Sequence, residues 1–270
     1  MALITTTDTA TVVRLAEAAV AAEPVANTVY GSIASGAQQS DAAPWAAHPS
    51  GSPLVLAARS QPYTTVGFTT GWTDLAPVSD AIGRLDPAAA GVAGPPATVS
   101  AVADGLGLPV TRQMDERLFR LDELVPPRPV VGSARIAGDG DARWLARWYV
   151  DFAVEAFGRL PPGFDATLMV ERGVVQSRCW IWSDGGGAPR SFAVAHAAVH
   201  GVSRIGPVYT PPDARGRGFG SAATAAATAD ILGRGDVACL YTDLANATSN
   251  KIYQDLGFRR VLDRTTVRFD

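Results

Sequence analysis

The residues of this 270-residue chain that are best suited to chemistry lie in one glycine-rich segment of its C-terminal part. An apolar strand that includes Ile205 and Val208 stops at Pro211-Pro212, and the spacing Arg215-x-x-Gly218-x-Gly220 follows. Small residues from Ser221 to Leu232 then predict a helix. A strand, a glycine-rich turn and a helix N-terminus together favour phosphate binding, because backbone N–H groups converge there and the helix dipole adds positive charge.

The composition of this loop restricts the phosphate ligand without fixing it. Glycines at 216, 218 and 220 permit positive φ and close approach, and Arg215 and Arg217 add charged donors. The loop has no lysine, which excludes a nucleoside-triphosphate P-loop, and its glycine spacing fits a dinucleotide fingerprint poorly. Taken alone, the segment is also compatible with a flexible surface turn or an RGG-like nucleic-acid tract.

A second spaced motif follows a buried strand predicted at residues 237–242. Asn246, Ser249 and Tyr253 are separated by three and four residues, which places them on one face of a helix, and Gly257 suits its C-terminal cap. The two motifs together resemble the acetyl-CoA site of the GCN5-related N-acetyltransferases (GNAT superfamily). The resemblance covers residues 202–262.

That resemblance implies an acetyl-CoA-dependent N-acetyltransferase in which a primary amine attacks the thioester through a tetrahedral oxyanion. Tyr253 would be the general acid to the CoA thiolate, although a buried aromatic of the core is an alternative role for it. Oxyanion donors would come from the end of the strand before the loop. The cofactor-binding residues would be Val208, Tyr209, Thr210, Arg215, Gly216, Arg217, Gly218, Phe219, Gly220, Ser221, Asn246 and Ser249.

The base that deprotonates the amine is not identified by any pattern. Glu155, Asp243 and His196 are candidates, and each has an ordinary surface or helix-face role as an alternative. Trp180 and Trp182 share one face of a predicted strand, where they line an acceptor pocket or pack in the core.

Composition excludes some functions. A net charge of −3 gives no general attraction to nucleic acid or to anionic membranes. No run of 18 apolar residues occurs, residues 1–22 do not have the pattern of a signal peptide, and both cysteines, Cys179 and Cys239, fit buried free thiols. We therefore expect a cytoplasmic protein that does not bind nucleic acid or membranes. The resemblance implies that it binds acetyl-CoA and an unidentified amine, and we expect no metal.

The predicted fold class is α/β with a mixed sheet, in two tandem GNAT-like domains joined by the proline-rich connector 121–131. Residues 126–270 would be the catalytic domain, with strands at 133–136, 179–182 and 191–200 and a helix capped by Asp141. Residues 1–125, with helices at 9–22 and 97–106, would be a degenerate GNAT-like domain or an unrelated α/β domain. The alternative function is a non-catalytic acyl-CoA-binding or interaction module.

Overall fold

The computed structural model describes residues 2–31, 44–60, 65–158, 160, 165–175 and 178–269. They divide between two compact units. The first unit consists of Met1–Leu118, Asp243–Ala245 and Val261–Asp270, and the second of Phe119–Thr242 and Asn246–Arg260. The first unit is therefore discontinuous in sequence, since it includes the end of the chain.

The described part of the first unit contains a mixed sheet, three helices with both ends in the described ranges, and a further helical segment at residues 28–31. Neighbouring strands follow the order β1 (Leu3–Thr6), β2 (Ala46–Pro49), β3 (Ala57–Ser60), β4 (Thr65–Phe68) and β5 (Gly91–Gly94). The first four are antiparallel, whereas β4 and β5 are parallel. The three helices with both ends described are α1 (Thr9–Ala22), α2 (Ala76–Leu85) and α3 (Pro96–Leu106). The expected helices at 9–22 and 97–106 are thus confirmed.

Two long strands complete the sheet of the first unit. They are β6 (Arg112–Leu121), which contributes its residues up to Leu118, and β12 (Phe258–Arg268), which contributes its residues from Val261. Thr265–Arg268 of β12 pair antiparallel with β5. The Arg117–Asp263 ion pair, with N···O of 2.7 Å, joins β6 to β12 within this unit.

The second unit repeats this strand order. Its sheet runs β7 (Gly132–Ile136), β8 (Cys179–Asp184), β9 (Pro189–Ala195), β10 (Val202–Tyr209) and β11 (Val237–Asp243). The first four are antiparallel, and β10 and β11 are parallel. Its helices are α4 (Ala142–Phe157), α5 (Ala166–Val175), α6 (Phe219–Gly233) and α7 (Ala247–Asp255). In both units one helix connects the parallel strands and another follows them, which agrees with the predicted tandem repeat.

Each face of the second sheet has its own apolar core. Helices α4 and α5 cover one face, where Leu145 and Tyr149 pack on Ile181 and Phe192. Helix α6 covers the other face and buries its alanines, including Ala223 and Ala227, against β9. Small side chains let this helix lie close to the sheet, so its N-terminus is held at a fixed place beside the end of β10.

Two local expectations differ from the structure. The strand predicted to reach His200 ends at Ala195, because the backbone turns at His200, which has φ of +49°, to form the isolated Val199–Val202 bridge. Asp141 precedes α4 but does not cap it through its side chain. Its carboxylate instead pairs with Arg135 at 2.6 Å, and that ion pair lowers the pKa of Asp141.

The described residues contain neither a helix suited to span a membrane nor a cluster of metal ligands. No helix in these ranges has both the length and the apolar character needed to cross a membrane. Over the same ranges, no group of three or more His, Cys, Asp or Glu side chains is arranged to hold a metal ion.

Candidate functional site

The parallel strands β10 and β11 are paired over only part of their length. Their register joins Val202–Ile205 to Val237–Leu240, yet the strands continue to Tyr209 and Asp243. In the same region the pairing of β10 with β9 shifts by one residue between Ile205 and Val208, which marks a bulge. The sheet therefore changes its hydrogen bonding where β10 approaches the glycine-rich loop.

The loop after β10 presents backbone N–H groups without a side-chain cap. A short 3₁₀ turn, Pro212–Ala214, leads into it, and Gly216 and Gly218 have φ of +74° and +82°. Gly218 occupies the N-cap position of α6 and has no side chain to accept a bond from the first turn. The N–H groups of residues 219–221 consequently lack intrahelical acceptors, as an anion-binding helix N-terminus requires.

Two glycines of the loop, Gly218 and Gly220, have close neighbours that leave little room for a side chain. A Cβ atom on Gly218 would lie 2.8 Å from Val130 Cγ2, and one on Gly220 would lie 3.2 Å from Thr210 Oγ1. Arg217 is exposed, with its Cζ 4.8 Å from the centroid of the Phe219 ring, and has no ion-pair partner among the described residues. It is therefore available to an external anion.

Arg215 behaves differently, because its side chain is already bonded. Its Nε donates to the carbonyl of Thr210 at 2.9 Å, and its Nη2 donates to Glu155 Oε2 at 2.6 Å. Its Cζ also lies 5.8 Å from the centroid of the Tyr209 ring. The guanidinium thus joins the loop to the end of β10 and to α4, which the sequence did not indicate.

Helix α7 brings together the three polar residues of the second motif. Asn246 is its N-cap and accepts from the Ser249 N–H at 3.0 Å, while the Ser249 side chain hydrogen-bonds Tyr253. Burial raises the pKa of Tyr253 to about 12, against a smaller opposing effect of that bond. The Tyr253 ring meets Phe119 and Phe258 edge-on in the core. The expected shared helix face is confirmed, and Asn246 acts within it as a cap.

Gly257 follows the C-terminal end of α7 as expected, and both its conformation and a close neighbour require glycine there. Its φ is +95°, and a Cβ atom there would lie 1.8 Å from the carbonyl oxygen of Glu123. The connector is bonded to the same turn, since Asp122 N–H donates to Gly257 O at 3.2 Å and Val125 N–H to Leu256 O at 3.1 Å. No side chain fits at this position without moving backbone.

Among the candidate bases, His196 is a poor proton acceptor. Burial and the charge of Arg204 lower its pKa to about 3, and its Nε2 lies 2.6 Å from the carbonyl oxygen of Gly206. Glu155 is bound to Arg215, and Asp243 accepts from the Ala245 N–H at 2.8 Å. A base with pKa near 3 cannot deprotonate an alkylammonium with pKa of ~10.

Trp180 and Trp182 both pack against the cluster of α6 and α7, opposite the face covered by α4 and α5. Their indole N–H groups are buried and have no hydrogen-bond partner among the described residues. Of the two roles considered, packing in the core is therefore the one that the structure favours.

Comparison with known proteins identifies the fold of the chain. Residues 191–268 match the sequence profile of a family described as FR47-like protein. Across the full length, the chain is similar to a structure described as a GCN5-related N-acetyltransferase from Sphaerobacter thermophilus. That structure is 17% identical with a TM-score of 0.64, over 98% of this chain and 95% of that chain. The chain has the fold of the GCN5-related N-acetyltransferases.

Two further structures extend this GNAT likeness over both units. A GNAT-family acetyltransferase from Colwellia psychrerythraea is 11% identical with a TM-score of 0.60, over 100% of both chains. A tandem GNAT protein from the clavulanic acid biosynthesis pathway is 14% identical with a TM-score of 0.57, over 98% of both chains. No curated protein matches the chain in sequence.

The GNAT fold identifies a loop that the sequence analysis overlooked. By strand order, residues 69–75 of the first unit, between β4 and α2, correspond to the glycine-rich loop of the second unit. Helix α3, which follows β5, corresponds to α7. The segment 69–75 contains one glycine, Gly71, and no arginine. Only the alignment of strand order could have indicated it, because its sequence carries no motif.

Proposed function

We propose that the chain is an N-acetyltransferase that transfers the acetyl group of acetyl-CoA to a primary amine. The second unit would be the catalytic GNAT domain, without residues 243–245 and 261–270 of the expected range 126–270. The observation that carries the proposal is the early end of β10–β11 pairing, at Ile205 and Leu240, directly before the uncapped, glycine-rich start of α6. A GNAT fold alone would not require either feature to persist in this chain.

The residues of the loop fit the pyrophosphate of coenzyme A. Gly216 leaves the space around its Cα open, whereas the space at Gly218 and Gly220 is already taken by Val130 and Thr210, and residues 216–221 would supply N–H donors. Arg217 would add an exposed cation, while Arg215 would contribute through its backbone because its side chain is bonded elsewhere. Asn246 and Ser249 would hold the position of α7 beside the cofactor.

Acetyl-CoA supplies an activated thioester to such a site, and the chain would supply donors at both ends of the reacting group. The N–H groups of residues 208–210, at the end of β10 past the bulge, would stabilise the oxyanion. Tyr253 would donate its hydroxyl proton or a hydrogen bond to the departing CoA thiolate. Because its pKa is raised to about 12, it stays protonated and can donate at any pH near neutrality.

The first unit would be a degenerate GNAT-like domain with no cofactor of its own. Its two parallel strands, β4 and β5, remain close to each other as far as their last residues, since a Cβ atom on Gly94 would lie 2.8 Å from Phe68 Cβ. Trp72, within the loop that corresponds to the phosphate loop, also packs edge-on against Phe68, with ring centroids 5.9 Å apart. Apolar side chains thus occupy the region that corresponds to the unpaired ends of β10 and β11 in the second unit. We therefore expect one acetyl-CoA per chain.

The second candidate function is a non-catalytic acyl-CoA-binding module. The burial of Tyr253 among Phe119 and Phe258 is the observation that favours it, because packing alone would then explain the residue. The hydrogen bond of Tyr253 with Ser249, a second polar residue of the same motif, supports the enzyme instead. We also propose that the protein acts in the cytoplasm.

Calorimetric titration with acetyl-CoA, followed by thiol release against a panel of amines, tests the proposal. We expect saturable binding at one site per chain and amine-dependent thiol release. Lys251 is the single lysine, so self-acetylation should contribute little background. Binding without turnover on a broad panel would favour the binding module, and absence of binding would refute both functions.

A further inference from the structure

Glu155 and Arg215 form an ion pair between two segments that are 60 residues apart in sequence. Glu155 lies in the last turn of α4, and Arg215 is the first residue of the glycine-rich loop. Their N···O distance is 2.6 Å. Because the second donor of Arg215 binds the carbonyl of Thr210, one guanidinium connects α4, the end of β10 and the loop.

The loop needs such an anchor because of its glycines. Gly216 and Gly218 follow Arg215 and both have positive φ. Glycine loses more conformational freedom on ordering than any other residue, so a loop built from it presents its N–H groups in one arrangement only when its ends are fixed. The C-terminal end is fixed by α6, and the N-terminal end by the side chain of Arg215.

We propose that Glu155 is a positioning residue for the cofactor loop rather than the general base. It holds the Arg215 guanidinium against Thr210 and thereby fixes the turn that presents residues 216–221. The consequence for cofactor binding rests on the proposed function, whereas the consequence for the order of the loop does not. The pair is partly exposed, with side-chain accessibility of 43% and 54%, so its effect on affinity should be about three- to fivefold.

The test compares Glu155→Ala, Arg215→Ala and the double variant with Asp151→Ala. Asp151 is a matched control, because it is an exposed carboxylate one turn earlier on α4 that has no ion pair among the described residues. Amide hydrogen exchange over residues 211–220 of the free protein reports loop order without any ligand. Acetyl-CoA affinity and the pH dependence of kcat report the two competing roles of Glu155.

We expect Glu155→Ala to speed exchange over 211–220 and to weaken acetyl-CoA binding about three- to fivefold. It should have no further effect on either measurement in the Arg215→Ala background, and the acidic limb of the kcat profile should keep its midpoint. Asp151→Ala should resemble the wild type in exchange. Unchanged exchange in Glu155→Ala, or loss of the acidic limb with unchanged affinity, would overturn the inference. If the wild type does not bind acetyl-CoA, the proposed function fails, and exchange alone still decides the role of Glu155.

Discussion

Removal of the Tyr253 hydroxyl should separate catalysis from packing. The side chain is 8% exposed, and its ring contacts Phe119 and Phe258 at centroid distances of 6.5 and 6.2 Å. Phenylalanine keeps this ring and its contacts. Tyr253→Phe should therefore retain the fold, lose about 1 kcal/mol of stability with the Ser249 hydrogen bond, and change acetyl-CoA affinity by no more than about threefold.

The size of the catalytic loss follows from the pKa. Full proton transfer from a phenol with pKa of about 12 to a thiolate with pKa of ~8.5 is uphill by about 5 kcal/mol. Tyr253 would therefore act by donating a hydrogen bond to the departing thiolate. A hydrogen bond to a charged group contributes about 1.5–3 kcal/mol, so kcat should fall about 10- to 150-fold.

Steady-state kinetics and calorimetry on Tyr253→Phe measure these two quantities. Tyr149→Phe is the matched control, because Tyr149 is another buried tyrosine of the second unit, 7% exposed, in the cluster beneath α4 and α5. We expect it to leave kcat within about twofold. An unchanged kcat in Tyr253→Phe, or equal losses of kcat and affinity in both variants, would refute the assignment of the thiolate donor to Tyr253.

The remaining predictions concern one buried tyrosine, one glycine and one arginine, the last two with a matched control. Because burial raises the pKa of Tyr253 above its unfolded value, unfolded chains release this proton first, so stability should fall as pH rises above ~10; Tyr253→Phe should lessen that loss in urea titrations at pH 9 to 11. Gly257→Ala should lower the free energy of unfolding in urea by at least about 3 kcal/mol, because its Cβ would overlap Glu123 O. The control Gly187→Ala, also at positive φ but in open space, should lower it by about 1 kcal/mol. Equal losses in the two variants would contradict this explanation. Arg217→Glu should weaken acetyl-CoA binding at least about tenfold by calorimetry. The control Arg143→Glu, at an exposed arginine near the N-terminal end of α4, should not weaken it. Similar losses in both variants would indicate a general charge effect.

The local motifs could be predicted because each is a short-range property of the chain. The glycine-rich turn and α6 follow from residues that are adjacent in sequence, and the Asn246–Ser249–Tyr253 face follows from helical spacing. The helix expected from Ser221 begins at Phe219, which is within the normal uncertainty of a helix end. The strand expected to reach His200 was wrong, since alternating apolar residues do not reveal where a turn begins.

Contacts between distant segments could not be predicted in this way. No pattern indicates that Glu155 meets Arg215, that Val130 lies beside Gly218, or that the carbonyl of Glu123 fills the space over Gly257. The membership of residues 261–270 in the first unit is of the same kind. Each depends on how helices and strands pack, and many distant pairings are compatible with one periodicity.

The sequence by itself therefore determined the type of chemistry, because phosphate binding and a helix-borne tyrosine require particular residues at particular spacings. The tertiary structure decided how those residues are used. It engages the Arg215 side chain within the protein, leaves Arg217 exposed, and buries Tyr253 deeply enough to raise its pKa to about 12. The physical reason is that charge pairing and desolvation depend on neighbours in space, which spacing along the chain does not specify.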